Sequence, residues 1–306
     1  MRWKRGHRLK LISDSEASGR TLEIFREVRE SLGTPAVPML YRAYAICPKF
    51  LDIHWQAFRP AVQSRQFFVL GERLTAECYT RAHNYFEVPG LCACGSADAA
   101  GLSISQVLDY YQYLDPLLLL IAAAQMRAFE EPVGTGTATP EAARHPEFSK
   151  APPLVCDENA RPELHRSWQE RRQVLELAFI SDEHRALSCW PDFYVQYWAG
   201  LKELLQSPIY ADCQYRVADS ALDMADELPV VAGTTVSQLL DAGLTDQQVS
   251  SVVRVNEDFI QALTGLVLDI TFAKIGLEHG VSAESAPRKP VEDSEGQTAG
   301  SPMRAA

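Results

Sequence analysis

Leu51, Trp55, Phe58 and Val62 recur at i, i+4, i+7 and i+11, the stripe that a helix of 3.6 residues per turn lays on one face. Tyr194, Trp198, Leu201 and Leu205 repeat the same spacing. Pro48 and Pro191 stand where each stripe begins. Proline is tolerated at a first helical position because its missing N–H would be unpaired there anyway. Upstream, apolar residues at 22, 25, 28 and 32 predict another helix, stopped by Gly33-Thr34-Pro35. Phe67 to Tyr85, Ile104 to Phe129, Tyr210 to Leu228 and Val249 to Leu277 have helical length and few breakers. No stretch sustains the alternation of a strand. The most β-like one, Pro229 to Gly233, is short and reads as a loop.

The two stripes belong to a longer self-match. The shift that places Asp14 on Asp157 also places Glu27 on Glu170, Arg29 on Arg172, Arg42-Ala43 on Arg185-Ala186 and Pro48 on Pro191, without a gap. It likewise places Phe50, Trp55, Gln63 and Ser64 on Phe193, Trp198, Gln206 and Ser207. After a one-residue slip, Gly101-Leu102 meets Gly243-Leu244 and Gln106-Val107 meets Gln248-Val249. Self-similarity at a fixed shift is the signature of a duplicated unit. The expected architecture is therefore all-α, with two pseudo-symmetric helical repeats packed around a central pocket. The divisions are a basic tail (1–10), repeat one (11–129), a Pro/Thr-rich linker (130–153), repeat two (154–280) and a disordered tail (281–306), both repeats forming one compact unit.

Composition narrows the function. The 306 residues are 46% hydrophobic and 23% charged, an ordinary globular balance. The net charge of −11 argues against nucleic acid, whose phosphates need clustered Lys and Arg. The longest apolar run, Leu117 to Ala124, is far shorter than the roughly 20 residues that cross a bilayer. The basic start has no apolar stretch of signal-peptide length after it. No membrane partner and a cytoplasmic location are expected, with the seven scattered cysteines reduced. Cys92-Ala93-Cys94 resembles half a metal site, but no second ligand pair follows at zinc spacing. Gly134 to Thr137 is no phosphate loop, since no Gly-Lys-Ser/Thr follows. Metal and cofactor are expected to be absent, and a homodimer is the candidate assembly.

The candidate chemistry sits just before each proline. Repeat two reads Ser181-Asp182-Glu183-His184-Arg185-Ala186-Leu187, whereas repeat one reads Pro38-Met39-Leu40-Tyr41-Arg42-Ala43-Tyr44. One copy holds carboxylates and the other would supply a wall to a pocket between them. The competing reading makes Asp182 and Glu183 an N-cap and first-turn acid, worth about 1 kcal/mol. Asp115, directly before Pro116, reads as a further helix cap leading into the most buried helix.

Taken together, Arg185-Ala186-Leu187, Trp190-Pro191-Asp192-Phe193, Trp198, their partners Arg42-Ala43 and Pro48-x-Phe50, and Asp115-Pro116 before the leucines resemble the group I 2-haloacid dehalogenases. The resemblance covers roughly residues 11 to 280. It implies an all-α, cofactor-free hydrolase acting on a small carboxylic acid. An aspartate activates a water that attacks C2 of a 2-haloalkanoate, giving the 2-hydroxy acid and halide without a covalent ester. Aligned without a gap, the family's catalytic Asp falls on Glu183; with one inserted residue, its Ser-Asp pair falls on Ser181 and Asp182. Its water-orienting Asn falls on Asp115. The expected catalytic residues are thus Glu183, Asp182 and Asp115, with Ser181 binding substrate. Two acids in one site would split their pKa values, leaving one protonated. The alternative is a catalytically divergent small-molecule binder of the same fold.

Overall fold

A computed structural model describes residues 10–93, 96–136, 146, 148–175 and 179–285. The helices run α1 (Gly19–Leu32), α2 (Met39–Tyr44), α3 (Pro48–Val62), α4 (Arg65–Tyr85) and α5 (Ile104–Ala128). They continue α6 (Pro162–Val174), α7 (Asp182–Leu187), α8 (Pro191–Leu205), α9 (Pro208–Ala225), α10 (Val236–Asp241) and α11 (Asp246–Ser285). Among the described residues there is no named strand, only isolated bridges such as Val133 with Val231 and Gly136 with Pro229. These tie the start of the expected linker to the loop after α9. The architecture is all-α.

Local chemistry accounts for the ends of the helices. Gly33 closes α1 at φ 61 in the left-handed region, where a Cβ would be strained. Pro48 and Pro191 open α3 and α8, and the preceding Cys47 and Trp190 take nearly the same backbone, φ −113, ψ 85 and φ −118, ψ 81. Ser64 and Ser207 each accept a hydrogen bond from the backbone N–H three residues on, both at 3.2 Å.

Helix starts α1, α2, α3 and α4 thus reappear, at the shift that carries Asp14 onto Asp157, as α6, α7, α8 and α9. Ile104 of α5 reappears as Asp246 of α11 after the one-residue slip. The bonds recur as well. Trp55 Nε1 donates to Glu27 at 2.7 Å and Trp198 Nε1 to Glu170 at 2.8 Å. A cation one turn on in each helix, Arg59 or Lys202, pairs with the same glutamate. Ile12 N–H donates to Arg42 O as Val155 N–H does to Arg185 O.

The core lies where α5 and α11 run along each other, with α4 and α9 against them. Leu117 to Ala124 is at most 4% exposed. Gly71 of α4 lets α5 approach, since a Cβ there would meet Leu117 Cδ2 at 2.3 Å. By length and composition α11 could cross a membrane, but 78% of its apolar window is buried inside the fold, as in a core helix. Residues 281–285, expected to be disordered, continue α11 instead. The remainder of that tail, residues 1–9 and Cys94 of the candidate metal pair lie outside the described residues.

Candidate active site

The sequence expectation for Asp115 needs correction: it caps nothing. It lies inside α5, with Pro116 in the helix interior. Proline has no N–H, so the Gln112 carbonyl four residues back loses its helical partner; the Thr75 hydroxyl leans toward it at 3.5 Å. The helix continues because its apolar surroundings hold it, and Asp115 is carried into the core at 0% exposure.

Asp182 and Glu183 occupy the first turn of α7, but Ser181, at the N-cap, makes no side-chain capping bond. Its hydroxyl is buried without a hydrogen bond. Asp182 is held from α2, its Oδ2 3.3 Å from Arg42 Nη1. Glu183 is 6% exposed with Oε2 unpartnered, and both Asp115 oxygens are unpartnered too. Such groups are costly to bury, so their concentration here points to function rather than stability.

Ser181, Asp182 and Glu183 line a cavity of about 50 Å³, enough for ordered water and a small ligand group. Val37, Pro38 and Met39 at the start of α2 face them across it, with Tyr110, Tyr111 and Leu114 of α5 forming a further wall. Asp115 does not line the cavity; it stands one residue behind Leu114, where its charge couples to Glu183. Among the described residues, no lysine or arginine lines this cavity.

Burial first, and the Glu183 carboxylate second, push Asp115 well above the usual carboxylate range. Glu183 is also raised, by burial and then Asp182, while Ser181 and Asp115 pull it back. No well-formed hydrogen bond joins Glu183 to Ser181 or Asp115, so these are effects of proximity. The first proton lost by the pair therefore leaves Glu183, with Asp115 remaining the neutral partner. Burial likewise raises Asp182, opposed by Arg42 and Arg185.

Behind α7 lies a polar cluster that sequence reasoning missed. Arg171 and Asp269 form a buried ion pair at 3.2 Å, and Tyr210 donates to Asp269 at 2.6 Å. His184, fully buried beside them, is lowered to about 3 by burial and by Arg171. It is a neutral imidazole and too weak a base to compete with Glu183. The ion pair joins residues 98 apart in sequence, and no motif announces it.

The family model described as "Halocarboxylic acid dehydrogenase DehI" matches residues 35–184, a span that includes Asp115, Ser181, Asp182 and Glu183. An (R)-2-haloacid dehalogenase of Pseudomonas putida is 26% identical over 275 residues, covering 86% of this chain and 91% of that protein. The chain is similar to the 2-haloacid dehalogenases over most of its length. A second relative, the (R)-2-haloacid dehalogenase of Rhizobium sp. (strain NHG3), is 18% identical over 227 residues, covering 72% of this chain and 88% of the relative. Two solved D-2-haloacid dehalogenase structures share the fold. A mutant complexed with D-2-CPA superposes with a TM-score of 0.75 at 24% identity, and a complex with L-LA with 0.77 at 23%. Each covers 88% of this chain and 96% of the other.

Proposed function

We propose that this chain is a hydrolytic 2-haloacid dehalogenase of the DehI type in which Glu183 is the general base. The observation that carries the reading is the small cavity into which α7 brings Ser181 and a buried Glu183 with an unpartnered oxygen. A base whose pKa is lifted toward the working pH both ionises and accepts a proton efficiently. Glu183 takes a proton from a cavity water as the water oxygen bonds to C2. The C2–halogen electron pair leaves with the halide, and the proton later passes from Glu183 to solvent. Halide leaves unprotonated, so no general acid is needed. Attack opposite the leaving group inverts C2, and the D-2-CPA and L-LA complexes of the related enzymes, read as D-2-chloropropionate and L-lactate, support that stereochemistry.

Asp115, kept neutral beside Glu183, takes the place of the family's amide. Its O–H donates to the carboxylate or water, so that only one negative charge faces an anionic substrate. Asp182, bound to Arg42, is the poorer base. Ser181 offers its free hydroxyl to the substrate. No covalent ester and no cofactor enter this scheme. The same reading takes residues 11–129 and 154–280 as diverged copies of one unit joined by 130–153, in a cytoplasmic protein.

Halide release from D-2-chloropropionate tests the proposal. Wild type should turn over, Asp182→Asn should lose less than about tenfold, and Glu183→Gln should lose about 10²- to 10⁴-fold. No halide from wild type above background removes the dehalogenase reading. A second reading has its own support: two acids and no cation on the cavity wall suit a neutral ligand held without turnover. Native mass spectrometry of the purified protein would then find a bound neutral molecule.

A further inference from the structure

An anionic substrate in a cavity walled by carboxyl groups needs a counter-charge, and none of the described residues supplies one on the cavity wall. The nearest candidate is next door. A second chamber of about 390 Å³ shares Met39, Leu154, Phe179 and Asp182 with the first. It is lined by Arg42, Arg172 and Arg185 against the carboxylates of Asp157 and Asp182, with His165 also on its wall. Its guanidinium groups offer an entering acid the cations that the first cavity lacks among the described residues.

The arginines are not equivalent. Arg185 is committed: it donates to Val155 O at 3.0 Å, pairs with Asp157 at 2.8 Å and stacks over Trp168 at 5.1 Å. Arg42, its counterpart in repeat one, reaches Asp182 through a long 3.3 Å contact. Asp182 belongs to both chambers, so the Arg42–Asp182 pair stands on the boundary between them. Both side chains are half-buried, at 23% and 20%, where water screens the pair only in part.

We propose that Arg42 is the carboxylate-binding residue of this site: the incoming acid passes through the arginine-lined chamber and takes over the Arg42 guanidinium from Asp182. The exchange rests on the dehalogenase reading for its substrate, but needs only a small carboxylate for its chemistry. A guanidinium accepts a carboxylate through two parallel N–H donors, whereas the pair with Asp182 uses one long contact. The carboxylate held there, with Ser181 beside it, leaves C2 in the cavity before Glu183. The specificity that follows is for acids over their amides and esters.

The test separates this proposal from the catalytic one by using ligands that do not react. Binding of propionate and of its neutral analogue propionamide is measured by calorimetry on the full chain, for wild type, Arg42→Gln, Arg42→Lys and Asp182→Asn. Arg42→Gln should weaken propionate at least about tenfold and leave propionamide unchanged, with Arg42→Lys in between. Asp182→Asn, which frees Arg42, should tighten propionate several-fold, and added salt should weaken propionate in wild type. In turnover, Arg42→Gln should raise KM far more than it lowers kcat. Equal loss of both ligands, an unchanged propionate Kd, or no propionate binding to wild type overturns the assignment. Arg42-dependent propionate binding without halide release would sustain it while removing the dehalogenase reading; halide release with an unchanged KM in Arg42→Gln would do the reverse.

Discussion

Two short helices, α2 and α7, start at positions related by the shift that carries Asp14 onto Asp157 and meet at one cavity, yet they carry opposite chemistry. Pro38, Met39 and Leu40 at the start of the first correspond to Ser181, Asp182 and Glu183 at the start of the second. Leu40 is fully buried and apolar; Glu183 is 6% exposed and carries an unsatisfied oxygen. The backbone tolerates either side chain at that place, but the glutamate lowers stability where leucine would raise it. Keeping a locally unfavourable group in a packed site is what function requires and stability does not. The next positions teach the complement. Arg42 and Arg185 are alike in sequence and both half-buried, yet Arg185 is tied into its own repeat whereas Arg42 reaches across to Asp182 of the other.

Replacing Glu183 by the residue of the other copy breaks the comparison most severely. Glu183→Leu should lose turnover by at least the about 10²- to 10⁴-fold expected of a missing general base. It should also unfold at higher denaturant, by about 1–3 kcal/mol, because a buried polar group without a partner has been removed. Loss of turnover together with lower stability would mean that Glu183 is structural.

Asp115→Asn sharpens the electrostatic half of the account. Asp115 is raised far above its unfolded value, so the folded state keeps a proton that the unfolded state gives up. Its contribution is fully present below the ordinary aspartate pKa and is lost as pH rises toward the folded value, by about 1.4 kcal/mol per pH unit. Between pH 5 and pH 8, wild-type denaturant midpoints should therefore fall more steeply than those of Asp115→Asn. The rate should rise with pH as Glu183 ionises and fall again as Asp115 does; the variant should keep the rise and lose the fall. Identical profiles would detach Asp115 from the site.

The smallest effect tests the symmetry of the scaffold. Trp55→Phe and Trp198→Phe each remove one indole N–H bond to a glutamate, Glu27 or Glu170. Each should cost about 1 kcal/mol in denaturant unfolding, and neither should change kcat by more than about twofold.

Most of the helical architecture could be read in advance because its determinants are local. Proline at the start of α3 and α8, the Gly33 stop and the stripe through Trp55 act within a few residues of themselves. Ser181, Asp182 and Glu183 were legible for a different reason: Pro38, Met39 and Leu40 stood beside them in the repeat and marked them as departures. For Asp115 the sequence suggests a cap, because Pro116 usually marks a helix start and here sits within α5. Tertiary packing overrode that rule. Arg42 and the Arg171–Asp269 pair went unseen as site or core elements, since each depends on a partner 140 or 98 residues away. Nothing local encodes such a meeting.

A single turnover in H₂¹⁸O, with enzyme in excess over D-2-chloropropionate, asks most directly whether the Glu183 carboxylate deprotonates water or itself attacks C2. If it acts on water, lactate from that first turnover carries one ¹⁸O at C2 and the Glu183 side chain stays unlabelled. Unlabelled lactate, or ¹⁸O appearing in Glu183, would contradict the account.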